Sequence, residues 1–549
     1  MTIKLTPLSG NVTSLNRLFD AVFKQFGDLI AFSHGNTSIT YFELDHKSRM
    51  LAGWLQHNDG LAPGDRVAIQ LPNTIQFPLC MLAVLRAGFV IVNANPSYTP
   101  AELNQLLKDS GAKALITFAP LARKAQIAMN GTQIKCVILT ELGDLMSPLK
   151  GKLLNQYIQR LAMPFSKQAI PDAFWLKDLL RQQFSSDWQP TYPSENQLAL
   201  IQYTGGTTGI PKGAMLSHQN LCANLFQIKQ LLEIYTQSGQ ERLIQPLPLY
   251  HIYAFTLTLA FFSQGAHTRL ISNPKETRQT IKAFSKFKPT ICAGIDPLFN
   301  HLLNQQSFHR VNFSSLKLTI SGGMALSPQL AQGWQQLTGC PITEGYGLTE
   351  CSPVVSINKP DQIQLGTVGE PLIETEIRII DDDGKELPLG EIGEIQVKGP
   401  QVMQGYWNQP TETQSVLSQE GWFSTGDLGY LTQDKRLRII DRKKELICVS
   451  GFKVFPSELE TLVCTVPGVE DCAAVGVPDE VTGEKIKLFV VTDSTLVTPS
   501  MIRQFCKERL TGYKIPTSIE FCGSLPRSAV GKVQRNKLKE KALQKFPKK

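Results

Sequence analysis

No stretch of this sequence is long and apolar enough to read as a membrane span. The longest apolar run, Phe77–Val92 (FPLCMLAVLRAGFVIV), is too short and carries Arg86. A buried helix, a break at Gly88 and a strand account for it better. The first residues, MTIKLTPLSGNVTSLNRLF, lack the apolar core of a signal peptide, so no leader is expected. Cys-x-x-Cys spacing is missing too. The eleven cysteines are scattered, and the nearest two, Cys464 and Cys472, have seven residues between them. That argues against a zinc site or a disulfide framework and for a reducing compartment. Charged residues are only 19% against 42% hydrophobic, which excludes a mostly disordered chain. At 549 residues there is material for several packed units. The net charge of +8 is uneven: Lys532–Lys549 contributes +7 of it. A basic tail suits an anionic partner, whether nucleotide phosphate, coenzyme A or an acidic membrane surface. Lys541–Lys549 itself reads as a solvated, frayed terminus.

What the chain does hold is a glycine–threonine stretch, Tyr203–Gly213 (YTGGTTGIPKG). It follows an apolar run, Leu198–Gln202, that reads as a buried strand. It precedes AMLSHQNLCANLFQ, which reads as a helix with Ser217 as N-cap. Strand, small-residue loop and helix together suit a phosphate: Gly205, Gly206 and Gly209 permit close backbone approach, and Thr204, Thr207 and Thr208 add hydroxyl donors. Lys212 adds positive charge. The common P-loop is excluded, because Lys212 is followed by Gly213 and Ala214 rather than Ser or Thr. By itself the stretch also fits a surface turn rich in small residues.

Around it, residues 15–118 alternate helical and strand-like runs. Val67–Gln70, Val90–Asn93 and Ala114–Thr117 are expected strands; Leu79–Arg86 and Pro100–Ser110 are expected helices, the second capped by Thr99. This alternation predicts an α/β fold with a parallel sheet covered on both faces. Gly143–Phe184 reads as partly helical, an insertion on the surface. Thr290–Gly294 and Leu318–Gly323 are strand-like runs ending in glycine, which leaves room where open α/β sheets place ligands. From Gly366 to Ile440, short strands and turn signals predict a small β-rich subdomain. The last hundred residues predict a compact α+β unit, with a helix beginning near Ser457.

Three further stretches carry chemistry. In Ile342–Glu350 (ITEGYGLTE), Tyr346 offers a flat face to a purine ring and Thr349 a hydroxyl to phosphate. Glu350 offers a hard oxygen to Mg²⁺, which takes one or two carboxylates plus substrate phosphates. Read alone, the same residues fit a loop ending in a helix N-cap. In Gly421–Asp427 (GWFSTGD), a carboxylate after a tight Thr-Gly turn can accept both hydroxyls of a ribose. In Leu525–Lys532 (LPRSAVGK), Pro526 and Gly531 stiffen a loop with Lys532 at its tip; read alone, Lys532 is one more solvated cation. The charged run Asp441–Lys444 would, on composition, be a solvated face. His251, set in LIQPLPLYHIYAF, would be a satisfied core residue.

TGGTTGxPKG resembles the signature loop of the adenylate-forming enzymes, and the resemblance extends through PLPLYHIYAF, EGYGLTECSPVVS and KGPQVMQGYW. It is closest to bacterial long-chain acyl-CoA synthetases of the β-oxidation type and runs from Leu15 to Leu538. It implies a large N-terminal adenylation domain, residues 1–440, of stacked α/β subdomains with 366–440 its β-rich part. A small mobile α+β C-terminal domain, 441–549, would hinge near 441–444. By resemblance, Ser321, Gly322 and Gly323 line the adenine pocket beside Tyr346, Gly347 and Thr349; Asp427 holds the ribose; Arg442 lies near ribose and phosphate; His251 sits by the acyl carboxylate, with Gly294 also in the substrate region. Lys444 is the hinge residue, Lys532 the adenylation lysine, and Gly451 enters for the thiol step. Thr207 and Glu350 join Lys532 as catalytic residues. Glu420 and Lys435 depart from the family, where Asn or Asp and a turn glycine are common; Glu420 bears on acyl-site geometry and Lys435 on a hairpin turn.

The implied reaction joins a long-chain fatty acid to coenzyme A at the expense of ATP, with Mg²⁺, through an acyl adenylate. Two other readings stay open: an acyl-AMP ligase serving a carrier protein, and a non-catalytic nucleotide-binding regulator. The expected setting is cytoplasmic, peripheral on the inner face of the membrane. A homodimer is left open, and no nucleic-acid partner is expected.

Overall fold

The computed structural model describes residues 14–544 apart from 164, 167–168, 182–187, 205–210, 275 and 529–530. The chain divides into two compact units, Met1–Glu376 with Lys398–Phe423, and Ile377–Val397 with Ser424–Lys549.

The first unit is built on two large sheets. One has seven strands, in the order Phe174–Trp175, Cys136–Thr140, Ala114–Phe118, Arg66–Gln70, Val90–Asn93, Leu198–Thr204 and Lys212–Ser217. Its neighbours run parallel except at the Lys212–Ser217 edge. The nine-stranded sheet has a parallel centre that includes Arg242–Gln245, Ile291–Gly294, Leu318–Gly322 and Ile342–Gly347, with antiparallel strands at both ends. Parallel strands are covered on both faces, which is why runs such as Val90–Asn93 and Ile291–Gly294 are buried throughout. The α/β expectation holds.

Several local readings hold for their stated reasons. Pro100–Ser110 is a helix whose cap Thr99 accepts from Glu102 N–H while the Glu102 side chain accepts in return. Phe77–Val92 divides into the helix Gln76–Arg86 and the strand Val90–Asn93, with Gly88 at φ +85° between them. Arg86 is buried inside that helix and stays charged through Asp45 at 2.7 Å and Asp20 at 3.4 Å. Removing either partner of a buried ion pair costs about 3–5 kcal/mol. The stretch Gly143–Phe184 is not wholly a surface insertion: within it Phe174–Trp175 pairs with the buried strand Cys136–Thr140 and extends the same sheet. Helix Pro148–Tyr157 lies between them in sequence.

In the second unit, strands Glu376–Ile380, Gly393–Lys398, Phe423–Leu431 and Leu437–Arg442 form a four-stranded sheet, within the stretch read from sequence as the β-rich part of the N-terminal domain. A five-stranded sheet follows, from Ile447–Val449, Phe452–Val454, Asp471–Asp479, Gly483–Val491 and Ser518–Phe521. Helices Pro456–Val463 and Pro499–Lys507 cover it through Leu459, Val463, Ile502 and Cys506. The first of these helices starts one residue before Ser457, which is not its cap. Instead Ser457 Oγ donates to Ile440 O at 2.8 Å, and its N–H donates to Asp441 at 2.9 Å. Lys435, at the hairpin position where a glycine was expected, takes φ +61°.

Candidate functional site

The glycine–threonine stretch is anchored differently from its sequence reading. Its described ends, Thr204 and Lys212, face each other across an antiparallel pair, and Thr204 Oγ1 donates to Lys212 O at 3.4 Å. The helix begins only at His218, capped by Ser217 as expected. A strand, Lys212–Ser217, therefore stands where the sequence suggested a direct entry into helix. Burial of Ala214, Leu216 and Ser217 against the neighbouring strand decides for extended backbone. No helix N-terminus directly follows the stretch, so its anion-binding capacity rests on loop donors and on Lys212. Gly205, Gly206, Thr207, Thr208 and Gly209 lie outside the described residues.

Lys212 and Glu350, predicted from stretches far apart in sequence, are joined by a residue the sequence did not single out. Tyr406 donates its hydroxyl to Glu350 Oε1 at 2.8 Å, and the Lys212 ammonium lies 5.1 Å from the centre of the Tyr406 ring. Burial, and next the Glu350 carboxylate, hold the Tyr406 phenol far above its usual range, so it stays a donor. Lys212 also pairs with Glu412. The backbone around Tyr406 stitches the two motifs together: Met403 N–H donates to Glu350 O at 2.7 Å, Met215 N–H to Gly405 O at 2.9 Å, and Trp407 N–H to Gly213 O at 2.8 Å. The KGPQVMQGYW stretch marked Tyr406 as part of the resemblance without giving it a role.

The other nucleotide-site candidates gather at the carboxyl ends of three adjacent parallel strands. Gly294 pairs with Ser321, Ser321 with Glu344, and Gly322 with Gly345. Ser321 is fully buried and its Oγ has no hydrogen-bond partner among the described residues. Gly323 takes φ +82° in open space. A Cβ at Gly294 would fall 2.5 Å from the Phe299 ring, and one at Gly347 2.1 Å from Pro353 O. Both glycines are therefore required by packing. Tyr346 and Gly347 end the third strand, and Thr349–Cys351 makes one short turn that presents Glu350. Glu344, also not singled out from sequence, accepts from Leu326 N–H at 2.9 Å and so fixes the segment after Gly323. Burial pushes its carboxyl up to about 7.

His251 is the N-cap of helix Ile252–Phe262, with Nδ1 accepting from Tyr253 N–H at 3.3 Å. That helix is buried almost all round. Between it and helix His218–Leu232 lies an apolar pocket lined by Ile228, Leu231, Leu232, Leu257, Val354 and Ile357.

In the second unit, Asp427 and Arg442 are cross-strand partners, with Arg442 Nε 3.1 Å from Asp427 Oδ1. Asp427 is buried, and its N–H is held by Thr425 Oγ1 at 3.1 Å. Lys444 is exposed in the short turn Lys443–Glu445. The preceding Lys443 is held by Glu394 at 2.8 Å and Asp382 at 3.2 Å. Gly451 has φ +82° with nothing near it. Lys532 closes a tight turn: Ser528 N–H donates to Lys532 O at 2.8 Å, and Lys532 N–H to Ser528 Oγ at 3.1 Å. Among the described residues no cluster of three or more His, Cys, Asp or Glu could hold a metal ion.

Two parallel-centred sheets, strand ends rich in glycine and a Lys212–Tyr406–Glu350 bridge beside Thr204 suit a nucleotide-binding enzyme of the adenylating kind. The family model of the AMP-binding enzymes matches residues 19–407, and that of the AMP-binding enzyme C-terminal domain matches 458–532. The chain belongs to the AMP-binding enzyme family. More particularly, it is 42% identical to a long-chain-fatty-acid–CoA ligase of Salmonella typhimurium, over 96% of this chain and 94% of that one. A ligase of the same name from Bacillus subtilis is 33% identical over 94% of this chain and 92% of its own length. Among solved structures, ATP-bound MatB from Rhodopseudomonas palustris superposes with a TM-score of 0.83 at 29% identity, covering 96% of this chain and 98% of that one.

Proposed function

We propose that this enzyme is an ATP-dependent long-chain fatty-acid–CoA ligase. The observation that carries the reading is near-full-length likeness to relatives of that name, through both family domains. In the first step a fatty carboxylate oxygen attacks the α-phosphorus of ATP; the bond to the β-phosphate breaks and pyrophosphate leaves. In the second, the coenzyme A thiol attacks the acyl carbon, its proton is lost, and AMP leaves with the bonding pair.

The first step joins two anions, so it needs placed cations and donors more than a strong base. Thr204, Thr207, Thr208 and Lys212 take the polyphosphate, with Gly205, Gly206 and Gly209 allowing close approach. Ser321, Gly322, Gly323, Tyr346, Gly347 and Thr349 take the adenosine side, and Asp427 with Arg442 takes the ribose. Lys532 supplies positive charge during adenylation. Lys444 and Gly451 serve the change between steps. His251 and Gly294 bound the acyl end. Glu350, with one oxygen held by Tyr406, would bind Mg²⁺ together with substrate phosphates. The ion would supply charge neutralisation on the phosphates there.

The test is palmitate with ATP, with and without coenzyme A. We expect pyrophosphate and adenylate in both arms and palmitoyl-CoA with free thiol. Adenylate that never passes to coenzyme A would move the enzyme to the carrier-protein reading, and absence of adenylate would end both.

We also propose peripheral contact with an anionic lipid surface, since the substrate partitions into membranes. No described helix is long and apolar enough to cross one. Helix Pro148–Tyr157 supports the contact: Leu149, Leu153 and Tyr157 are 72%, 59% and 57% exposed at four-residue spacing. Lys150 and Lys152 are exposed among them, with no acid on the helix.

A further inference from the structure

The sequence separates Cys464 from Cys472 by seven residues, yet the fold brings their sulfurs to 3.5 Å. Cys464 ends helix Pro456–Val463 and is exposed; Cys472 lies buried near the start of strand Asp471–Asp479. Helix and strand fold back on each other, and Cys472 Sγ also donates to Glu460 O at 3.4 Å. A disulfide needs its sulfurs at about 2.05 Å, an approach of roughly 1.5 Å.

The pair stands between the two ionic anchors of the Lys532 turn. Asp471, the chain neighbour of Cys472, binds Arg527 at 2.5 Å, and Arg527 Nη1 donates to Gly531 O at 2.6 Å inside the turn. On the other side Glu460, whose carbonyl takes the Cys472 thiol, binds Arg535 at 2.7 Å. Arg535 opens the helix Arg535–Gln544 that follows the turn, and it also binds Glu445 at 2.6 Å. Moving the Cys464 end of the helix toward the strand therefore pulls on Glu460 and Asp471 together, and through them on both flanks of Lys532.

We propose that Cys464 and Cys472 are a peroxide-oxidisable dithiol whose disulfide displaces the Lys532 turn and slows adenylation. The coupling to activity rests on the role proposed above for Lys532. The Cys464 thiolate attacks one oxygen of hydrogen peroxide; the O–O bond breaks, water is released and Cys464 becomes a sulfenic acid. Cys472 sulfur then attacks Cys464 sulfur; the S–S bond forms, the S–O bond breaks, and hydroxide leaves with the Cys472 proton as a second water. Two thiols lose two electrons to one peroxide. The assignment of Cys464 as the first to react agrees with its exposure and with the sulfur–sulfur hydrogen bond, which holds the Cys464 thiol below its ordinary value. That same hydrogen bond, and then burial, hold the Cys472 thiol far above its own.

The test treats the full-length enzyme with hydrogen peroxide. Mass spectrometry should find the segment holding both cysteines lighter by two hydrogens, and ATP–pyrophosphate exchange should fall roughly ten- to a hundredfold, as expected for a misplaced charge. Dithiothreitol should restore both. Cys464→Ser should keep the untreated rate and resist peroxide. Cys472→Ser should leave a sulfenic acid on Cys464 that dimedone traps. If peroxide makes no such bond, the dithiol is refuted. If the bond forms and exchange is unchanged, the coupling is refuted. An untreated enzyme with no exchange would instead overturn the function proposed for Lys532, while the mass measurement still decides the dithiol.

Discussion

At the scale of single residues, the informative contact is the one between Tyr406 and Glu350. The two are 56 residues apart, and the hydroxyl is spent on the carboxylate proposed above to hold Mg²⁺. Tyr406→Phe keeps the ring that Lys212 lies over and deletes only that bond. A hydrogen bond to a charged group is worth about 1.5–3 kcal/mol, so adenylation should slow by roughly ten- to a hundredfold with the fold intact; pre-steady-state pyrophosphate release measures it. An unchanged rate would reduce the Tyr406 hydroxyl to a packing detail. Lys212 and Glu350 could be singled out as candidates because their residue types sit in short runs with their own logic. Tyr406 and Glu344 were not, because their roles are made by partners that only tertiary folding supplies. Lys435 shows the converse: the expected turn glycine was missing from the sequence, yet the hairpin keeps the glycine-like φ.

At the scale of elements, local signals that close within a few residues were readable. Thr99 with Glu102, and Gly88 between helix and strand, each carry their own stop or start. Lys212–Ser217 was misread as the approach to a helix, because six residues carry too little periodicity to outweigh the Ser217 cap beyond them; pairing with Leu198–Thr204 settles the backbone instead. Cys136–Thr140 was passed over for the same reason, a short apolar run whose strand identity depends on neighbours on both sides. The helix Pro148–Tyr157 has an exposed stripe that propensity cannot explain, and it yields a prediction of its own. Leu149→Glu with Leu153→Glu should weaken sedimentation with phosphatidylglycerol vesicles several-fold and leave turnover of a short, water-soluble acid unchanged. Vesicle binding lost only when the basic residues 545–549 are removed would place the contact at that tail instead.

At the scale of the whole molecule, the two half-reactions make different demands on the enzyme. Adenylation must neutralise charge on a phosphate under attack, so a missing cation is felt directly in its barrier. Thioester formation attacks an acyl carbon already bearing a good leaving group, and no pyrophosphate has to depart. Lys532→Ala should therefore cut palmitate adenylation by orders of magnitude, read by pyrophosphate exchange. The same variant supplied with ready-made palmitoyl adenylate and coenzyme A should form thioester at a rate close to wild type. Equal loss in both assays would mean that Lys532 holds the second unit together rather than serving one step. Its turn is already closed by Ser528 and braced by Arg527, so the alanine variant should keep the wild-type melting profile and let the two rates be compared on the same fold.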